Sequence, residues 1–291
     1  MKFHLSASIL FASILLAFTA LPCFASRAVK DELGHTVELP DHPHRVVCLA
    51  PSVADIAYAL GAGNDVAAVS EFTKYPKEFA QKPSIGLPLN PSIETIAALH
   101  PDLVLGTGYL NSLQSAAGLE TLGVPIFMVD PHAIEGIYKS ILSLGEALNR
   151  EPSAKALVAH LRGRLAAVEA RVADKPKVRV LMMIWNDPVM TIGKRAFMSE
   201  LIEAAGGVSV TDDIAQEWPQ VGLETVVSRQ PDALLIMRGS AIDFKELKTR
   251  PGWEHVRAVQ QERVYFIDDR IQYPSPVAFD ALEDLAKQLH P

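Results

Sequence analysis

Cysteine is nearly absent from this chain, with two residues in 291. One of them, Cys23, lies in an N-terminal stretch expected to be removed, so no intramolecular disulfide is predicted. A single remaining Cys48 also argues against a redox or metal-cluster enzyme, which needs several thiolates. Its flanks, "RVVCLAPS", mark a buried strand residue and not a nucleophile. Positive charge is scarce too. The net charge of −7 speaks against a nucleic-acid partner and supplies no polybasic membrane signal. Catalytic signatures are missing: there is no Gly-x-Ser-x-Gly elbow, no Walker loop and no His-Glu-x-x-His. "GAG" at 61–63 and "GTG" at 106–108 are incomplete as dinucleotide fingerprints and read better as turns at element ends. His42 and His44 in "PDHPHRV" lack further ligands at recognisable spacing. No enzyme activity, resident cofactor or metal site is expected.

What is present begins with a targeting pattern. Lys2 gives a positive start, Ile9 to Leu21 is almost wholly apolar, and Cys23-Phe24-Ala25 offers a cleavage site. The apolar run falls short of the roughly 20 residues of a membrane span. Residues 1–25 are therefore predicted to be a signal peptide cleaved near Ala25, with export to the periplasm. An uncleaved anchor is the alternative. Pro22 makes Cys23 a poor lipoprotein site.

The mature chain alternates aliphatic runs with helical patterns. "RVVCLA", "DVAAVS", "DLVLG" and "PIFMVD" read as strands, and "VADIAYALGAG", "SIETIAALH" and "LQSAAGLETLG" as the helices between them. The second half repeats the grammar, with "VRVLMMIW", "DALLIM" and "RVYFID" as strands and "MSELIEAAGG", "GLETVVSRQ" and "SPVAFDALEDLAKQLH" as helices. Between them, "EPSAKALVAHLRGRLAAVEARVADKP" keeps helical spacing from Pro152 to just before Pro176. The prediction is an α/β protein of two lobes with mostly parallel sheets, residues 26–150 and 176–291, joined by one long helix over 151–175.

One phrase occurs twice. "LNPSIETIAALHPDLVLG" (89–106) returns as "QVGLETVVSRQPDALLIM" (220–237). Glu94-Thr95 matches Glu224-Thr225 and Pro101-Asp102 matches Pro231-Asp232, at one shared offset of 130 (224 − 94 and 231 − 101). Each glutamate falls in the first turn of a helix, where backbone N–H dipoles favour negative charge. Two readings follow. The glutamates stabilise two helix starts, or, as one carboxylate on each lobe, they form a two-point acidic contact surface for a partner with two basic sockets.

The phrases "RVVCLAPSVADIAYALGAGNDVAAVSEFTKYP", "SIETIAALHPDLVLG", "LGVPIFMVD", "EWPQVGLETVVSRQPDALLI" and "DDRIQYPSP", in this order, resemble the periplasmic substrate-binding proteins of ABC importers for vitamin B12, iron-siderophores and haem. Within that class the pattern is nearest to the cobalamin binders. The resemblance implies the class III architecture, two Rossmann-like lobes with the ligand in the cleft and a rigid helix behind. It implies a monomer that delivers cobalamin or a related corrinoid, itself cobalt-containing, to an ABC permease dimer in the inner membrane. Ferric siderophore or haem is the alternative cargo, and a sensor for a membrane receptor a further one. The family's docking glutamates fall on Glu94 and Glu224. A large flat ligand suits rigid aromatic walls; Tyr75, Tyr109, Trp185 and Trp218 are candidates because each lies near the C-terminal end of a strand. Asp269, Arg270 and Tyr273 are candidates for bonding the ligand's amide rim. This sequence departs from the cobalamin binders at Pro88 and Thr107, where they carry tryptophans. Leu87 stands where haem binders carry a tyrosine. The basic residues on offer to a siderophore are Arg195, Arg238 and Arg270.

Overall fold

In the computed structural model, residues 26–110 and 113–291 are described; the predicted signal peptide lies outside them. The chain opens with an antiparallel hairpin, β1 (Ser26–Lys30) and β2 (Thr36–Pro40), which the sequence reading did not anticipate. The Asp31 carboxylate closes its turn by accepting the N–H groups of Leu33 and His35 at 3.0 and 2.7 Å.

The first lobe then follows the predicted grammar: β3 (Val46–Cys48), α1 (Pro51–Ala59), β4 (Val66–Val69), the short pair β5 (Gly86–Leu87) and β6 (Asn90–Pro91), α2 (Ile93–Ala98), β7 (Leu103–Thr107), α3 (Leu113–Thr121) and β8 (Ile126–Val129). Its parallel sheet has the order β4-β3-β7-β8. All of β3, β7 and β8 are buried, as continuous aliphatic strands covered on both faces should be.

Two helices follow at the back of the molecule, α4 (Ile134–Ala147) and α5 (Glu151–Val172). The predicted connecting helix is thus real but ends at Val172, three residues early. The Lys175 N–H donates to the Val172 carbonyl at 3.0 Å and turns the chain toward Pro176.

The second lobe comprises β9 (Val178–Met183), β10 (Trp185–Asn186), β11 (Val189–Met190), α6 (Phe197–Ala204), β12 (Gly207–Ser209), β13 (Gln220–Val221), α7 (Leu223–Arg229), β14 (Ala233–Met237), α8 (Phe244–Leu247), α9 (Arg257–Gln260), β15 (Val264–Ile267) and α10 (Val277–Leu289). Its parallel sheet, β12-β9-β14-β15, has the strand order of the first. β10, β11 and β13 form a small antiparallel sheet of their own.

The duplicated phrase folds into a duplicated unit. Helices α2 and α7 occupy matching positions, and each ends at a left-handed residue, His100 (φ 47°) and Gln230 (φ 43°). Asp102 accepts the backbone N–H of Arg45 at 3.0 Å, and Asp232 accepts that of Arg179 at 3.3 Å. The same two arginines reach back with their guanidinium groups to the last carbonyls of the helices, Arg45 to Leu99 and Arg179 to Arg229. The Pro-Asp pair therefore ends a helix and anchors the neighbouring first strand in both lobes.

The lobes share a core behind the cleft. A single apolar cluster runs from Val29 and Leu39 through Tyr138, Ile141 and Leu161 to Phe279 and Leu282. Tyr138 of α4 stacks on Phe279 of α10 with centroids 5.8 Å apart. Arg164 of α5 donates to Glu283 and Asp280 of α10, both at 2.7 Å. This arrangement ties both sheets to one rigid back.

Candidate ligand-binding cleft

In front of that back lies an open cleft of about 570 Å³ lined by both lobes. The first lobe contributes Phe72, Pro88, Tyr109 and His132; the second contributes Phe197, Glu217, Trp218 and Tyr273. Phe72, Tyr109, His132 and Tyr273 come from segments that follow β4, β7, β8 and β15. The site thus gathers at the C-terminal edges of two parallel sheets, where open α/β sheets bind ligands.

Of the residues singled out in the sequence, Tyr109, Trp218 and Tyr273 line this cleft. The Tyr109 hydroxyl lies 3.1 Å from Ser52 Oγ. The residue keeps 36 % of its surface exposed, while burial around the hydroxyl pushes its titration above the usual phenol range. Tyr75 sits one layer back. Its ring meets Tyr273 edge-on at 6.4 Å, and its hydroxyl donates to Asp269 at 3.4 Å. Asp269 is already engaged across the lobes: Lys74 Nζ lies 2.6 Å from its carboxylate.

Tyr75 and Asp269 thus stand behind the lining, and two further candidates lie away from it. Trp185 does not line the cleft; β10 carries it to the edge of the small antiparallel sheet, where its indole donates to the Asp187 carbonyl at 3.0 Å. Arg270 does not line it either. Its guanidinium donates to both oxygens of Asp268 and to Asp280 at 2.8 Å. Those bonds, Asp268 first, raise its already high pKa. Arginine is drawn away from the cleft because carboxylates with bidentate geometry lie beside it.

Glu94 and Glu224 are both exposed, in the first turns of α2 and α7. Each follows a cleft residue by six positions, Pro88 and Trp218 (94 − 88 and 224 − 218). The short strands β6 and β13 connect wall to helix in both copies, so each carboxylate follows the wall of its own lobe by the same short path.

Sequence reasoning missed Phe72, Lys74, His132, Phe197, Glu217 and Gln272 as lining residues. Phe72 is the most informative. It is a non-glycine residue at φ 66° and 62 % exposed, an outlier of the kind that concentrates at binding sites. Thr73 Oγ1 donates to the Ser70 carbonyl at 2.8 Å and the Glu71 N–H to the Gly86 carbonyl at 2.8 Å. These bonds hold the turn that presents the ring.

At the seam of the lobes, Asp55 is buried and accepts the Val277 N–H at the start of α10 at 3.2 Å. Burial pushes its carboxyl up to about 6, although the Ser275 hydroxyl and that N–H favour the charged form. Burial likewise pushes the Cys48 thiol up to about 12, which leaves it protonated and unreactive. Among the described residues no cluster of three or more His, Cys, Asp or Glu side chains could hold a metal ion. No helix there is long and apolar enough to cross a membrane.

Two parallel-sheet lobes on a shared helical back, with an aromatic-walled slot between them, define a solute-binding protein. The chain belongs to the periplasmic binding protein family, whose profile matches residues 46–271, and this is a family of solute-binding transport proteins. It is 29 % identical over 273 residues to an uncharacterized ABC transporter substrate-binding lipoprotein of Bacillus subtilis, covering 90 % of this chain and 85 % of that one. It is 29 % identical over 245 residues to a vitamin B12-binding protein of Vibrio parahaemolyticus, covering 84 % and 88 %. Its fold is similar to that of a periplasmic heme-binding protein from Roseiflexus sp. RS-1 in apo form, with a TM-score of 0.77, 26 % identity, and coverage of 85 % and 98 %.

Proposed function

We propose that the protein is the extracytoplasmic solute-binding component of an ABC importer, carrying cobalamin or a related corrinoid in the inter-lobe cleft to a membrane permease. The observation that carries this reading is the cleft itself. Rings from both lobes, Phe72 and Tyr109 from one and Phe197 and Trp218 from the other, offer flat rigid contact to a flat macrocycle at little entropy cost. Similarity to a vitamin B12-binding protein supports the same cargo. Export follows from the predicted signal peptide, and Glu94 and Glu224 are proposed to engage basic sockets of the permease, one per lobe.

Haem is the second reading, favoured by the similarity to a heme-binding protein. Leu87, at the position where haem binders carry tyrosine, counts against it. A ferric siderophore finds less support, because Arg195, Arg238 and Arg270 are all outside the cleft lining and Lys74 is paired with Asp269. Titration of the purified mature protein with cyanocobalamin, haemin and a ferric hydroxamate, followed by tryptophan fluorescence, separates the three. Saturable quenching by cyanocobalamin, lost in Trp218→Phe, is expected. Quenching by the hydroxamate alone sinks the corrinoid reading.

A further inference from the structure

We infer that His132 is an axial ligand: its imidazole binds the central metal of the chelate held in the cleft. The inference rests on the corrinoid reading above and adds a coordinate bond to it. His132 lies in the loop after β8 and lines the cleft, with 57 % of its side chain exposed. Its Nε2 lies 2.9 Å from Asp130 Oδ1. A carboxylate at one ring nitrogen favours the proton there and leaves the lone pair on the other, the arrangement found behind metal-binding imidazoles.

The backbone that carries this carboxylate is held in place. The Asp130 N–H donates to Glu32 Oε2 at 2.8 Å, and the same glutamate receives the hydroxyls of Ser140 and Ser143 at 3.1 and 2.9 Å. A Cβ at position 108 would come within 3.0 Å of Asp130 Oδ1, so Gly108 leaves the carboxylate its room. Tyr109 is the rival donor beside it, with ring centroids 6.3 Å apart. Its hydroxyl is paired with Ser52 and kept protonated by burial, which leaves the imidazole as the available donor. A chelate brings its four in-plane nitrogens with it, so one protein ligand suffices and no cluster of ligating side chains is required.

The step is a simple ligand exchange. The Nδ1 lone pair forms a bond to cobalt(III) of aquocobalamin, and the bound water leaves with its electron pair. No oxidant, reductant or proton is needed. Cyanocobalamin, with both axial positions filled, still enters the cleft but gains no such bond.

The test is titration of the mature protein with aquocobalamin, cyanocobalamin and haemin, reading visible spectra and tryptophan quenching together. Aquocobalamin bands should move on binding to those of an imidazole adduct. The move should vanish in His132→Ala and return when free imidazole is added to His132→Gly. His132→Ala should lower the ratio of aquocobalamin to cyanocobalamin affinity at least tenfold, and Asp130→Asn should weaken aquocobalamin by about tenfold. Quenching by both cobalamins with unmoved aquocobalamin bands would overturn the axial role and leave the corrinoid reading standing. Haemin binding with a nitrogen-ligated spectrum lost in His132→Ala, and no cobalamin binding, would support the role and defeat the corrinoid reading. Silence from all three chelates would end both.

Discussion

The two lobes share their strand order and their helix-ending unit, but not the residues they turn toward the cleft. Asp102 and Asp232 anchor the first strand of each sheet, and Arg45 and Arg179 cap the matching helices. At the equivalent wall positions, however, one lobe has Pro88 and the other Trp218. Helix α2 is capped by the Ser92 hydroxyl, which accepts the Thr95 N–H at 3.2 Å, whereas α7 starts at Gly222 with no side-chain cap. Duplication is kept where a backbone path has to be reproduced. It is relaxed where the two walls meet different sides of one ligand.

The largest effect expected from breaking this symmetry concerns the exposed glutamates. Glu94→Ala with Glu224→Ala should cut uptake by whole cells at least a hundredfold with ligand affinity unchanged. Each single change should leave partial uptake if the lobes dock as equals; full uptake by the double variant rejects the two-point contact. Next comes the wall. Trp218→Ala removes a large aromatic surface and should weaken cyanocobalamin binding by about tenfold or more, on the order of 1.5–3 kcal/mol. Pro88→Trp should tighten it, making the first lobe resemble the second; calorimetric titration reads both.

The seam between the lobes supplies a pH test. The Asp55 carboxyl is raised from an ordinary value of 3.8 to about 6 in the folded protein, so the folded state holds this proton more tightly than the unfolded one. Its contribution to stability is full below about pH 4 and is lost as pH rises through 6. Asp55→Asn should remove this slope, gaining about 2–3 kcal/mol on the parent between pH 4 and pH 7 in denaturant unfolding. An unchanged slope would contradict the buried, raised carboxyl. The smallest effects lie at the helix starts. Ser92→Ala should cost about 1 kcal/mol. Gly222→Ser, which transfers the cap to the other lobe, should recover a few tenths to about 1 kcal/mol once the Glu224 carboxylate, 2.8 Å from the new Cβ, rotates aside.

Most of the scaffold was legible because aliphatic runs and helical spacing report burial directly. The two parallel sheets and the helix beginning at Glu151 followed from that, and the family from the resemblance of whole phrases in their order. Helix α4 did not, although Ile134, Ile137, Ile141 and Leu144 recur at helical spacing. It starts at Ala133 without a capping side chain and contains Gly136 and Gly145. Gly145 is there for packing, since a Cβ would collide with that of Ala154 in α5. The hairpin β1–β2 escaped because its outer residues are exposed and weakly patterned. In the cleft, Tyr109, Trp218 and Tyr273 were readable from their places after strands or in a matching phrase. Trp185 and Arg270 were misplaced because nearby partners, the Asp187 carbonyl for one and the Asp268 and Asp280 carboxylates for the other, decide where these side chains point. Phe72 and His132 depend on turn geometry and on a carboxylate two residues away, which no periodicity encodes.

The Lys74–Asp269 bridge joins the lobes in front of a core that already joins them behind. Fastened on two sides, the lobes are expected to keep nearly one width whether the cleft is full or empty. On the proposed transport role, telling a laden carrier from a vacant one would fall to contact with the passenger itself through the open mouth.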